Sequence, residues 1–119
     1  MTLRSNQLDE TWRVALARHR GQTDAALREI EGPLSQGSLA TYLQSVKEML
    51  RGGQYTRALK NDDTEYFLTR IERELGKPEL RLALTAIHQH IKYYNALGRG
   101  ELRGARDLHD RWVKRMGQP

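Results

Sequence analysis

The chain contains no cysteine, which excludes disulfides, thiolate zinc centres and cysteine nucleophiles. That absence suits a cytoplasmic protein. Proline is scarce, with three residues, so helices are seldom interrupted. Aromatic residues make up 7% and apolar residues 38%, which points to a lean core. No apolar run approaches the roughly 20 residues that a membrane span needs. The opening stretch MTLRSNQLDE has no apolar centre, so a secretory signal is not expected. No stretch alternates apolar and polar residues as a half-buried strand would.

What is present is charge and helical spacing. Charged residues reach 29%, and the net charge is +5 with a pI near 9.8. That balance favours anionic partners, either nucleic acid or an acidic protein surface. With 119 residues the expectation is one domain over 1–119.

Apolar residues at Leu8, Trp12, Ala15, Ala26 and Ile30, with His19 among them, share one side of a first helix. Asn6 is its expected cap, and EGPLSQGS ends it. Ser38 begins a second helix with Leu39, Tyr42, Leu43, Val46 and Leu50 inward, stopped by Gly52-Gly53. QYTRALK is expected to form one or two short helical turns. Asp62 followed by Glu65 matches a capping box ahead of Phe67, Leu68, Ile71 and Leu75. Gly76 and Pro78 separate this helix from a fourth, which runs to about Leu97. A last helix covers about Glu101 to Met116. The fold expected is all-α, a single-domain antiparallel helical bundle of about five helices. NALGRGELRGARDLHDRW also looks locally like one helix-turn-helix unit of a solenoid.

The fourth helix is expected to be central. Leu80, Leu84, Ile87, Ile91 and Tyr94 form one apolar stripe, and Leu82, Ala86, Tyr93 and Leu97 a second. At about 100° per residue this leaves one polar strip. The strip holds Arg81, Thr85, His88, Lys92, Asn95 and Arg99.

Catalytic motifs fail on context. GRGELRG follows no strand, so it reads as a helix break and not a phosphate loop. Walker, His-Glu-x-x-His and nucleophile-elbow patterns are missing, and no enzyme is expected. His88 and His90 lie two apart and diverge on a helix, so they cannot share a metal. His19 and His109 each interrupt an apolar face. Helix packing that brought them together would make a polar or metal-sensing site, but a boundary histidine in each helix is the expectation, and no metal or cofactor is assigned.

Two windows contain no acid: Leu50 to Lys60 and Leu80 to Gly100. Elsewhere charges mostly alternate in sign, as in the last helix with Arg103, Asp107 and Arg111, so that helix is expected to be solvated. Basic residues interleaved with aromatics suit a phosphate backbone and exposed bases. The expected function is therefore a small non-enzymatic nucleic-acid-binding protein or nucleoprotein subunit. Its phosphate contacts would be Arg51, Arg57, Lys60, Arg81, His88, Lys92 and Arg99, with Tyr55 or Tyr93 for stacking. The rival is a protein-interaction adaptor, in one version a homodimer through the first helix and its Trp12. A small-ligand or metal sensor is a third reading.

Two likenesses accompany these patterns. LKNDDTEYFLTRI followed by RLALTAIHQHIKYY resembles the helical core-binding domain of tyrosine recombinases, in which an acid-capped helix precedes one ending in an aromatic pair. The likeness spans about Leu59 to Tyr94; the first and last helices have no counterpart in it. The same region with NALGRGELRGARDLHDRW resembles the ligand-sensing helical domain of some bacterial transcription regulators. That likeness implies metal-binding histidines, and Phe67 stands where one is expected.

Overall fold

A computed structural model describes residues 5–21, 38–57, 59–98 and 102–117. Among them are five α-helices and no strand: α1 (Ser5–His19), α2 (Ser38–Arg51), α3 (Asn61–Glu74), α4 (Lys77–Ala96) and α5 (Arg103–Met116). The protein is an all-α helical bundle. No described helix is long and apolar enough to cross a membrane.

α4 packs against α2, α3 and α5, while α1 packs against α2 and α3. α5 covers the groove between α3 and α4. Its Arg111 and Arg115 reach Glu65 and Glu72 in turn, so α5 runs in the same direction as α3. The expectation of a central fourth helix holds. Leu80, Ala83, Leu84, Ala86, Ile87, His90 and Ile91 are its buried residues. The second stripe is only partly used, since Leu82 and Leu97 are exposed.

The core joins Trp12 and Val14 of α1 to Val46 and Met49 of α2 and to Phe67, Leu68 and Ile71 of α3. Trp12 is 1% exposed and its indole donates to Glu74 at 2.9 Å. The described part of the first-helix stripe, Leu8, Trp12 and Ala15, is buried in the core. A polar cluster closes the α1–α3 seam. Arg70 donates to Asp9 at 3.1 Å and to Glu74 at 2.9 Å, and the Tyr66 hydroxyl donates to Asp9. The Tyr66 and Arg70 donors hold the Asp9 carboxyl below its ordinary value.

Several local expectations need correction. α1 stops at His19, where Gly21 takes a φ of 69° that ends a helix without side-chain clash. Ala26, Ile30 and the EGPLSQGS stretch lie outside the described residues. The described residues of QYTRALK are not helical, and Gln54 and Tyr55 dock on α4. The Asp62–Glu65 box does not form: α3 begins at Asn61 after Lys60, with no side-chain cap bond. Glu65 is drawn instead toward α5, accepting from Trp112 at 3.1 Å and Arg111 at 3.2 Å. α5 is accordingly not a fully solvated helix, because Leu108 and Trp112 are buried.

Candidate functional site

The polar strip of α4 exists as an exposed ridge. Arg81, Thr85, His88, Lys92 and Asn95 all face solvent. They recur at three- and four-residue steps, so the helix aligns them while the opposite arc is buried. The only acid of α4 is Glu79, in its first turn. Among the described residues no carboxylate pairs with Arg81 or Lys92. Thr85 donates to the Arg81 carbonyl at 3.0 Å, so its hydroxyl serves the helix itself.

The two acid-free windows adjoin. After α2 the chain runs along α4: Gln89 donates to the Gly52 carbonyl at 3.4 Å, and Gln54 to the Gln89 carbonyl at 3.5 Å. Tyr55 then stacks on His90, with centroids 4.3 Å apart and planes 12° from parallel. What this contact brings to α4 is glutamine and tyrosine, not the arginines. Tyr55 is 4% exposed, so its ring is unavailable to a nucleic-acid base, against expectation. Tyr93 is half-buried at the edge of the ridge.

The remaining cations separate. Arg51 ends α2 at 3.7 Å from Glu48 and lines a groove between α1 and α2. Arg18, His19 and Lys47 share that groove, of about 340 Å³. Arg57 is exposed beside a smaller hollow lined by Thr41, Gln44 and Ser45. Lys60 precedes α3, where its carbonyl accepts from the Thr64 amide at 2.9 Å. Arg99 lies outside the described residues.

His19 and His109 lie in separate grooves, as boundary histidines of their helices and not as one shared site. His19 lines the α1–α2 groove and does not meet His109. His109 faces His88 instead, with ring centroids 5.6 Å apart. Together with Arg81 they border a groove of about 650 Å³ between α4 and α5. His109 Nδ1 pairs with Asp110 at 3.2 Å. No cluster of three or more metal-ligating side chains occurs among the described residues. The His88–His109 meeting depends on helix packing, and no spacing in the chain announces it. His88 and His90 diverge as their spacing requires: His88 is exposed and His90 buried.

His90 is 2% exposed. Its Nδ1 donates to the Tyr55 carbonyl at 2.7 Å, which places the ring proton on that nitrogen. Nε2 is buried with no hydrogen-bond partner among the described residues. Burial lowers the imidazole pKa, opposed by the bond to Tyr55. A neutral ring holding the connection against α4 is a structural role. Phe67 is fully buried in the core, so the position of an expected sensor histidine is a packing position here.

No protein-family model matches the chain, and neither a curated protein nor a solved structure was found to be similar to it.

Proposed function

We propose that this is a non-enzymatic helical protein that binds nucleic-acid phosphates through the outer ridge of α4. One observation carries the reading: Arg81, His88 and Lys92 stand exposed on one helix face with no described carboxylate pairing the two longer cations. From Arg81 to Lys92 the ridge extends about 17 Å at 1.5 Å per residue. That length spans roughly five steps of a nucleic-acid strand. Arg81 and Lys92 would neutralise phosphates, His88 would join them when protonated, and Tyr93 lies beside the ridge.

The test is fluorescence anisotropy with labelled DNA and RNA between 50 and 200 mM salt. Two or three phosphate contacts predict a log–log slope of roughly −2 to −3 and a loss of roughly 10- to 60-fold over that range. The double variant Arg81→Glu, Lys92→Glu should remove binding while keeping the fold. Salt-insensitive binding, or an unchanged double variant, overturns the reading.

A second reading has one observation in its favour. Leu82 is 40% exposed and Val113 47% exposed, both near the cationic ridge. An acidic protein surface with an apolar centre would use both features. Leu82→Ser should then weaken that partner's binding and leave oligonucleotide binding intact.

A further inference from the structure

The groove between α4 and α5 has a chemistry distinct from the ridge beside it. Leu84 is nearly buried at its base, and Val113 and Met116 of α5 supply an apolar wall. Val113 is 47% exposed, although a valine on a helix of this bundle gains by burial. At the rim stand Arg81, His88 and His109. His109 Nδ1 is engaged by Asp110, whose side chain is 70% exposed, so Nε2 is the nitrogen left for another partner, to which it donates in the imidazolium form. The volume, about 650 Å³, falls within the range of small-molecule sites. An apolar wall below converging donors suits a ligand with two ends of different polarity. Two imidazoles with no third donor among the described residues do not make a metal site.

We infer that the α4–α5 groove binds a small amphiphilic anion: a carboxylate whose head meets Arg81 and the His88–His109 pair, and whose hydrocarbon body covers Val113 and Met116. Charge complementarity selects the head, and the exposed valine selects the body. Neither feature needs the nucleic-acid reading, although Arg81 and His88 are shared with it.

The experiment is a titration of the isotope-labelled full chain with octanoate, followed by amide NMR, with octanol and acetate as controls. Octanoate should saturate and shift resonances of α4 and α5. Octanol should bind about tenfold more weakly or worse, the worth of a charged hydrogen bond. Acetate should be weaker again by at least about tenfold, having lost the methylenes. Arg81→Gln should weaken octanoate about tenfold, and Val113→Ser several-fold. Both positions are exposed, so unchanged melting temperatures confirm that the fold is kept. Lys92→Gln separates the two sites: it should weaken oligonucleotide binding and weaken octanoate several-fold less than Arg81→Gln, since Lys92 does not line the groove. The proposal is overturned if octanoate does not saturate, if octanol or acetate equals it, or if Lys92→Gln costs as much as Arg81→Gln.

Discussion

His90 shows how a single side chain can tie stability to pH. The folded chain holds its imidazole neutral, between Tyr55 and Tyr94, with Nε2 unpartnered among the described residues. The unfolded chain takes up a proton near the ordinary value of about 6.5. Below that pH the unfolded state binds a proton that the folded state excludes, so the stability due to His90 is present above it and lost as pH falls. Urea unfolding from pH 7.5 to 5 should show this fall, and His90→Phe should flatten it. An equal slope in both proteins removes His90 as the cause. A second buried pair joins α2 to α3: the Tyr42 hydroxyl donates to Asp63 at 2.6 Å, and Asp63 is 5% exposed. Burial and the neighbouring carboxylate together raise the Tyr42 pKa strongly, so it remains a donor. Tyr42→Phe should cost about 1.5–3 kcal/mol, because a buried carboxylate loses its donor. Asp63→Asn keeps an acceptor and should cost less; the ordering is read from denaturation midpoints. Of these residues, Tyr42 was legible as an inward position from helical spacing, and the divergence of His88 and His90 followed from their two-residue step. Tyr55 was not legible. It sits in an extended connection, where no period distinguishes a buried ring from an exposed one.

Helices were legible because their apolar spacing repeats; their ends and partners depended on tertiary contacts. The Asp62–Glu65 pattern is a sound local cap, yet Glu65 has stronger offers from α5, an indole and a guanidinium. α1 was read too long because apolar residues continue in register past Gly21. α5 was read as solvated because its i to i+4 charges balance within the helix, whereas Arg111 and Arg115 pair with α3 instead. Exposed ion pairs of this kind contribute about 0–1 kcal/mol each, so they orient α5 more than they hold it. Trp112 and Leu108 hold it, each 2% exposed. Trp112→Ala should cost about 3–5 kcal/mol. Hydrogen exchange should show the loss concentrated in α5, while α1 and α2 exchange as before, since α5 covers only the α3–α4 edge. Uniform acceleration across all helices would mean that α5 is not separable. The turn after α2 is stricter. Gly52 has a φ of 73°, and an added Cβ would lie 3.0 Å from Leu82 Cδ2. Gly52→Ala should therefore destabilise by about 1–2 kcal/mol, measured by thermal unfolding.

At the scale of the molecule the question is where the excess positive charge goes. The two acid-free windows do lie side by side, but their described arginines line different hollows. Arg81, His88 and Lys92 line the α4 ridge, while Arg51 turns to the α1–α2 groove with Arg18, His19 and Lys47. A window in the sequence measures only how many acids are absent along the chain. The direction of each side chain around its helix decides which cations share a surface, and that is set by packing. The two groups differ in kind as well. Of the α1–α2 cations, Arg18, His19 and Arg51 stand in the last turns of α1 and α2, where the helix dipoles already favour positive charge, and Arg51 also reaches Glu48. Their placement is accounted for without a ligand. The ridge cations Arg81 and Lys92 stand outside the last turn of α4 and have no carboxylate partner among the described residues, so an external anion would gain from them. This separates two charge-matched double variants. Lys47→Glu with Arg51→Glu and Arg81→Glu with Lys92→Glu change net charge equally. If binding were a response to net charge alone, both would weaken an oligonucleotide alike and both losses would fade with salt. If the α4 ridge is the binding surface, only the second variant should lose affinity, by tenfold or more at about 100 mM salt, and its residual salt slope should fall by roughly two. The first should stay within about threefold of the parent. Anisotropy titrations of the three proteins on one labelled strand decide between these outcomes, and equal losses would leave the ridge without a special role.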